Sequence, residues 1–356
     1  MSLLRKLGIT LPIIQAPMAG TSTPALAAAV SNAGGLGSIG VGAVNADAAG
    51  RMILELRTAT SQPFNVNVFC HRPAVAHPVR DGGWIAKLAP EFARFGATPP
   101  STLREIYKSF VADDDMLALF LTERPPIVSF HFGLPSPAKV AALRASGIKL
   151  LASATNLAEA RAVAAAGIDA VVAQGYEAGG HRGVFDPSAR DERLGTLALT
   201  RLLVRHLEIP VIAAGGIMDG TGIAAALVLG AQAAQLGTAF IACPESSADA
   251  AYRAALLDKS SVYTTMTTAI SGRPARCIAN RFTAIGENTR DEDIAAYPMA
   301  YDAGKALNLA AKAKDEHGYG AQWAGQAAPL AREMPAQELM MTLQRELDDA
   351  VRGISP

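Results

Sequence analysis

The chain is a succession of short, continuously apolar runs separated by alanine-rich stretches with helical spacing. The runs fall at residues 13–18, 36–41, 64–69, 127–132, 149–155, 170–174, 210–214 and 233–241. They do not alternate apolar with polar residues, as a strand with one wet face would. An unbroken run marks a strand covered on both faces in a parallel sheet. Between them, residues 23–33, 136–146, 156–166, 195–206 and 221–229 predict helices, several followed by a glycine such as Gly34, Gly147, Gly167 or Gly230. Eight strands alternating with helices predict an α/β fold, a TIM-type (β/α)8 barrel. A doubly wound sheet is the rival that periodicity alone does not separate.

Two regions break this rhythm. Residues 71–124 carry Pro73, Pro78, Gly82-Gly83 and Pro99-Pro100. They predict an insertion over the barrel mouth, with a helical piece at 103–121. After residue 241 the pattern changes to helices joined by polar loops. The expected division is therefore a barrel made of residues 1–240 and 325–356 and a mostly helical substrate lid at 241–324. A last helix, at 336–351, is expected to pack back on the barrel.

Composition narrows the classes of function. Among 356 residues, 32 Lys and Arg balance 32 Asp and Glu, for a formal net charge of zero. There is no basic surplus or stripe to meet a nucleic acid. Half of the residues are hydrophobic and the mean hydropathy is +0.20. No stretch approaches the roughly 18 apolar residues of a spanning helix, so a membrane role is not expected. Cys70, Cys243 and Cys277 lie far apart, in no zinc-ligand spacing. Together with a start that lacks a full apolar signal region, this predicts a cytoplasmic protein.

In such a barrel the chemistry sits at the C-terminal ends of the strands. At the seventh and eighth exits stand Gly215-Gly216 and Gly237-Thr238. Their backbone N–H groups, with a following helix N-terminus, can cradle an anion, and a phosphate at this place recurs in barrels. The bland alternative is a pair of tight turns. His181 lies in the glycine-flanked loop Gly179-Gly180-His181-Arg182-Gly183 after the sixth strand. An imidazole with an ordinary pKa of about 6.5 suits proton transfer there. His131, inside an apolar run, fits a hydrogen-bonded core histidine as well as a pocket residue. Asn67 and Gln174 are strand-end amides suited to the edge of a heterocycle, or simply to loop backbone. Met18 can offer backbone groups and a thioether wall to a ring, or simply fill the barrel top. Tyr297, Tyr301 and Lys305, at i, i+4 and i+8, share one face if their segment is helical, and would then recognise a small anionic or polar substrate or simply pack the lid on the barrel. No P-loop, strand-linked GxGxxG, HExxH or GxSxG is present.

Several of these stretches carry a family likeness. Gln15-Ala16-Pro17-Met18, Ser31-Asn32-Ala33-Gly34-Gly35-Leu36-Gly37, Gln174-Gly175-Tyr176-Glu177-Ala178-Gly179-Gly180-His181, Ala213-Ala214-Gly215-Gly216-Ile217 and Gln235-Leu236-Gly237-Thr238 resemble the nitronate monooxygenase family, formerly 2-nitropropane dioxygenases. The segment 297–305 and Gln322-Trp323-Ala324-Gly325-Gln326 resemble its class I branch. The resemblance implies a flavoprotein that oxidises alkyl nitronates with O2 to a carbonyl compound and nitrite through an FMN semiquinone. The toxic propionate 3-nitronate is the implied substrate, and its detoxification the implied role. His181 would be the catalytic residue. Ala16, Met18, Asn67, Gln174, Gly179, Gly180, Gly215, Gly216, Gln235, Leu236, Gly237 and Thr238 would hold FMN, and Tyr107, His131, Tyr297, Tyr301 and Lys305 the substrate. No metal is implied. The oligomeric state stays open, a homodimer being one option. Two alternatives also stay open: an NAD(P)H-dependent quinone or enoyl reductase on the same barrel, and a non-redox sugar-phosphate isomerase or aldolase.

Overall fold

The computed structural model describes residues 2–259 and 263–354. The strands are β1 (Ile13–Gln15), β2 (Gly37–Gly40), β3 (Phe64–Phe69), β4 (Ile127–His131), β5 (Lys149–Ala154), β6 (Ala170–Gln174), β7 (Gly180–His181), β8 (Val211–Ala214), β9 (Ala233–Leu236), β10 (Thr264–Thr267) and β11 (Ala275–Ile278). Eight of them pair in parallel in the order β1-β9-β8-β6-β5-β4-β3-β2. The two ends meet: Ile14 bridges Leu36, Gln15 donates to the Leu36 carbonyl at 2.9 Å, and Leu36 donates to the Ile13 carbonyl at 3.0 Å. A doubly wound sheet keeps two free edges; here the ring closes, and the fold is a (β/α)8 barrel.

The first and last strands are shorter than their apolar runs. β1 stops before Pro17, whose nitrogen carries no proton for a ladder. β9 stops at Leu236, and residues Thr238–Phe240 turn into a single 3-10 turn. The helices Pro24–Asn32, Pro137–Ala145, Leu157–Ala165 and Gly220–Val228 each start at a side-chain cap, from Thr23, Ser136, Asn156 and Asp219. At the N-terminal end of the barrel, Leu3 and Leu7 of the first helix join Ile14, Ile127, Leu151 and Ile212 in one buried cluster. That plug leaves the opposite end of the barrel for a site.

The insertion differs from expectation. Its long helix is Pro78–Arg94, while residues 103–121 begin as irregular chain and reach only the short turn Phe110–Ala112 and the helix Asp114–Glu123. Pro78 sits in the first turn, where an N–H would have no partner. Gly82 and Gly83 are tolerated because Trp84, Leu88 and Phe92, spaced by four, bury one face against Ala300, Ala303 and Leu307. Those three lie on the helix Met299–Lys312.

The segment after residue 241 is also not helix alone. β10, β11 and β7 form a three-stranded antiparallel sheet in which Ala275 faces His181. The Thr264-Thr265-Met266-Thr267 run has the β-branched bias of a strand. The final helix, Ala336–Ile354, returns to the barrel wall, and Leu339, Met340, Leu343 and Leu347 share a core with Leu26, Val30 and Ile223.

Candidate active site

A cavity of about 770 Å³ opens at the C-terminal end of the barrel. Every expected site residue borders it except Leu236. On β9, alternation turns Gln235 inward and Leu236 outward, into the core shared with Ile13 and Ala213. What Leu236 contributes to the barrel mouth is a carbonyl, and that accepts from the Ala16 N–H at 2.8 Å. The resemblance placed Leu236 among the cofactor contacts; its side chain points away from any ligand in the cavity.

The turns after β8 and β9 form one side of the cavity. Gly215 and Gly216 have φ of 123° and 68°, conformations that a side chain opposes. Among the described residues, the N–H groups of Gly215, Gly216, Gly237 and Thr238 donate to no protein acceptor. Four open donors on two adjacent turns make an anion cradle. At the N-terminus of the helix Gly220–Val228, expected to add to the cradle, the Gly220 N–H is taken by Glu346 Oε2 at 3.0 Å. Asp219 caps that helix, holding the Gly222 N–H at 2.8 Å and setting a carboxylate at its N-terminus. Gly179 has a packing reason as well: a Cβ there would lie 2.6 Å from the Ala324 carbonyl carbon and the Gly325 nitrogen. The Ala324-Gly325 segment is tied down by Gly325 donating to Thr238 Oγ1 at 2.9 Å.

The polar side chains divide into open and committed groups. Asn67 Nδ2 donates to the Ser129 carbonyl and hydroxyl at 3.1 and 2.9 Å, which leaves its Oδ1 for a ligand. Gln174 is engaged at both ends, Nε2 donating to the His181 carbonyl at 3.0 Å and Oε1 accepting from the Gly183 N–H at 2.6 Å, with one N–H and one lone pair over. Gln174 therefore shapes the histidine loop. Met18 offers its thioether only, because its N–H and carbonyl are bonded within its own turn, to Ser22 Oγ and to the Thr21 and Ser22 N–H groups. His131 borders the cavity with both ring nitrogens in use, Nδ1 2.6 Å from Ser153 Oγ and Nε2 3.2 Å from the His181 carbonyl. It is a hydrogen-bonded strut in the wall.

His181 ends β7 and enters the cavity among aromatic rings: Trp323 at 5.0 Å, Tyr297 at 5.4 Å, Phe132 at 5.6 Å and Tyr301 at 6.3 Å between centroids. Burial, then the charges of His131 and Arg273, push its pKa down to about 3. Burial lowers His131 and His71 to about 4. All three imidazoles are neutral at neutral pH.

Opposite them, Lys305 Nζ stands 4.7 Å from the Tyr107 ring centroid and 5.3 Å from that of Tyr301. Tyr107 reaches Tyr297 at 6.4 Å and Tyr301 at 5.7 Å. Expected spacing and structure differ in one respect. Tyr297 is outside the helix that carries Tyr301 and Lys305, joined to it through a cis Tyr297–Pro298 bond, yet the three groups still converge. Burial lifts the Tyr301 phenol to about 12 and lowers the Lys305 ammonium from its ordinary value.

Ser271 and Arg273 went unrecognised in the sequence. Arg273 is 3% exposed, lies 4.2 Å over the Phe132 ring and donates through Nη2 to the Val184 carbonyl. The signal available was Thr264–Thr267 followed by Gly272 and Pro274, a strand-and-turn pattern. Among the described residues there is no His, Cys, Asp and Glu cluster able to hold a metal and no helix long and apolar enough to cross a membrane.

This arrangement has relatives. Residues 1–346 match the family model described as nitronate monooxygenase. A nitronate monooxygenase of Paraburkholderia phytofirmans is 66% identical over 353 residues, spanning 99% of this chain and 96% of its own length. One from Pseudomonas aeruginosa is 56% identical over 343 residues, spanning 96% and 98%. Among solved structures, the nitroalkane oxidase of Streptomyces ansochromogenes superposes with a TM-score of 0.90 at 43% identity, covering 99% of both chains. With an anion cradle, neutral imidazoles and an ammonium around one barrel-mouth cavity, and with likeness along the whole chain, the protein belongs to the nitronate monooxygenase family of oxidoreductases.

Proposed function

We propose that this chain is an FMN-dependent nitronate monooxygenase acting on small alkyl nitronates, propionate 3-nitronate foremost, with O2 as co-substrate in the cytoplasm. The observation that carries the cofactor reading is the set of four unused N–H donors on Gly215, Gly216, Gly237 and Thr238. They suit a terminal phosphate monoester. Asn67 Oδ1 suits a ring N–H, and Ala16, Met18, Gly179, Gly180 and Gln235 border the space between. A cavity of about 770 Å³ has room for a cofactor with a small substrate beside it. When bound, FMN supplies the electron chemistry of the oxidation.

The chain's own residues do the rest. The Lys305 ammonium attracts the anionic substrate, and the Tyr107, Tyr297 and Tyr301 rings bound the space in which it lies. Half-burial strengthens this attraction by lowering the local dielectric. A nitronate arrives already deprotonated, so it needs no base. A neutral nitroalkane needs one, and the neutral His181 is placed to take its α-proton. O2 is small and apolar and enters without a dedicated site. Residues 241–324 act as the lid that keeps water away.

The experiment is reconstitution with FMN, a visible spectrum, and nitrite release with O2 uptake on propionate 3-nitronate. Flavin absorption bands with nitrite release support the reading. A colourless protein that takes up no FMN would remove the cofactor, and rapid anaerobic reduction by NAD(P)H without nitronate turnover would make it a reductase.

A further inference from the structure

We infer that Ser271 is a positioning residue that fixes the tautomer of His181, keeping the proton on Nε2 and presenting Nδ1 to the cavity as a lone pair. The inference rests on the proposed reaction for its consequence but not for its geometry. Ser271 Oγ lies 2.9 Å from His181 Nε2 and 3.1 Å from the carbonyl oxygen of Arg273. A carbonyl only accepts, so the serine proton goes to Arg273. The remaining lone pair of Ser271 then takes the N–H of His181. Nδ1 has no protein partner among the described residues and is not one of the sealed, unpartnered atoms, so it opens on the cavity that the ring borders.

The device is rigid at both ends. The backbone of His181 pairs with Ala275, and Arg182 N–H donates to the Pro274 carbonyl at 2.8 Å. Arg273 is held by its contact with Phe132 and its bond to the Val184 carbonyl. Ser271 itself is 1% exposed, so no water competes for its hydroxyl. An adjacent hydrogen bond deciding which ring nitrogen is free is a general means of setting a histidine's role.

The chemical consequence separates two substrates. With a neutral nitroalkane, the α-C–H bond breaks and its electron pair moves into the nitro group, forming the nitronate. The proton passes to Nδ1, and the resulting imidazolium keeps its Nε2–H on Ser271. With a preformed nitronate there is no proton to take, and the tautomer matters little.

The test is 15N NMR of histidine-labelled protein, without and with FMN, using His181→Asn to assign the resonance. The wild type should show Nε2 protonated and Nδ1 bare. Ser271→Ala should mix the tautomers, lower kcat for a neutral nitroalkane about tenfold at little change in KM, and leave nitronate turnover within about twofold. Ser271→Thr should restore both readouts. An unchanged His181 signature in Ser271→Ala overturns the inference. So does a protonated Nδ1 in the wild type, which decides the matter even if Ser271→Ala does not fold. Absence of nitronate turnover in the wild type would instead overturn the proposed reaction, leaving the tautomer readout standing.

Discussion

The guanidinium of Arg273 lies 4.2 Å from the centroid of the Phe132 ring, and the same ring meets His131 at 4.4 Å and His181 at 5.6 Å. Phe132 holds this place with a φ of 72°, a conformation that a bulky residue adopts only when its surroundings impose it. A permanent charge thus sits one aromatic ring away from the histidines of the cavity wall. Its field lowers the pKa of His71, His131 and His181, in addition to the larger effect of burial. Replacing Arg273 with Met should therefore raise all three without bringing them to their ordinary value. The check is the acid limb of kcat/KM for a neutral nitroalkane, which should move to higher pH.

Buried neutral histidines also bear on stability. Folded-state pKa values of about 3 to 4 lie below the unfolded value of about 6.5, so on acidification the unfolded chain binds protons that the folded one refuses. Stability should fall as the pH drops from 6.5 towards 4, each imidazole contributing up to about 1.4 kcal/mol per pH unit. His71 is 1% exposed and packs edge-on against Tyr297, 4.9 Å between ring centroids. Thermal unfolding followed from pH 7 to pH 5 should show a shallower decline in His71→Phe than in the wild type. Equal slopes would place the acid sensitivity elsewhere.

His181→Asn should keep bound FMN, since none of the four cradle donors belongs to it. Turnover of a neutral nitroalkane should fall by about 10² to 10⁴, the usual range for losing a positioned general base. The loss on a preformed nitronate should be much smaller. Parallel kinetics on both substrates check this, and unchanged nitroalkane kinetics would remove His181 from the mechanism.

Lys305→Met should raise KM for the anionic substrate about tenfold and leave kcat nearly unchanged, because the ammonium binds a charge that is present before and during the reaction. The wild-type KM should rise with ionic strength and that of the variant should not. A loss confined to kcat would contradict a binding role.

Gly237→Asp sets a carboxylate in the cradle at little structural cost. The φ there is −109°, and a Cβ would find Ala16 Cβ at 3.4 Å and Met18 Sδ at 3.7 Å, ordinary contacts. FMN affinity, measured by quenching of flavin fluorescence, should fall at least about tenfold through like-charge repulsion with its phosphate. The unfolding temperature of the flavin-free protein should barely change. Undiminished affinity would place the phosphate elsewhere.

The sequence by itself determined the eight doubly covered strands, because such a strand must be apolar throughout and the runs are written locally. The pairing of Ile14 with Leu36, which closes the ring and excludes a doubly wound sheet, joins distant segments and was decided by the tertiary structure. The glycine exits and the loop of His181 were legible for the same reason as the strands, since each is a short segment at a strand end. Their individual duties were not. Gln174 and His131 carry the right chemistry, but the His181 carbonyl, Gly183 and Ser153 engage it in orienting the loop and wall, and those bonds cross up to 50 positions of chain. Leu236 shares a motif with Gln235 yet points the opposite way, which only the pleat decides. The small sheet was hidden most deeply. β7 is two residues long and finds its partner 90-odd positions later, so no local pattern announces it. Tertiary structure alone brought Ser271 and Arg273 to His181, and with them the choice of which nitrogen opens on the cavity.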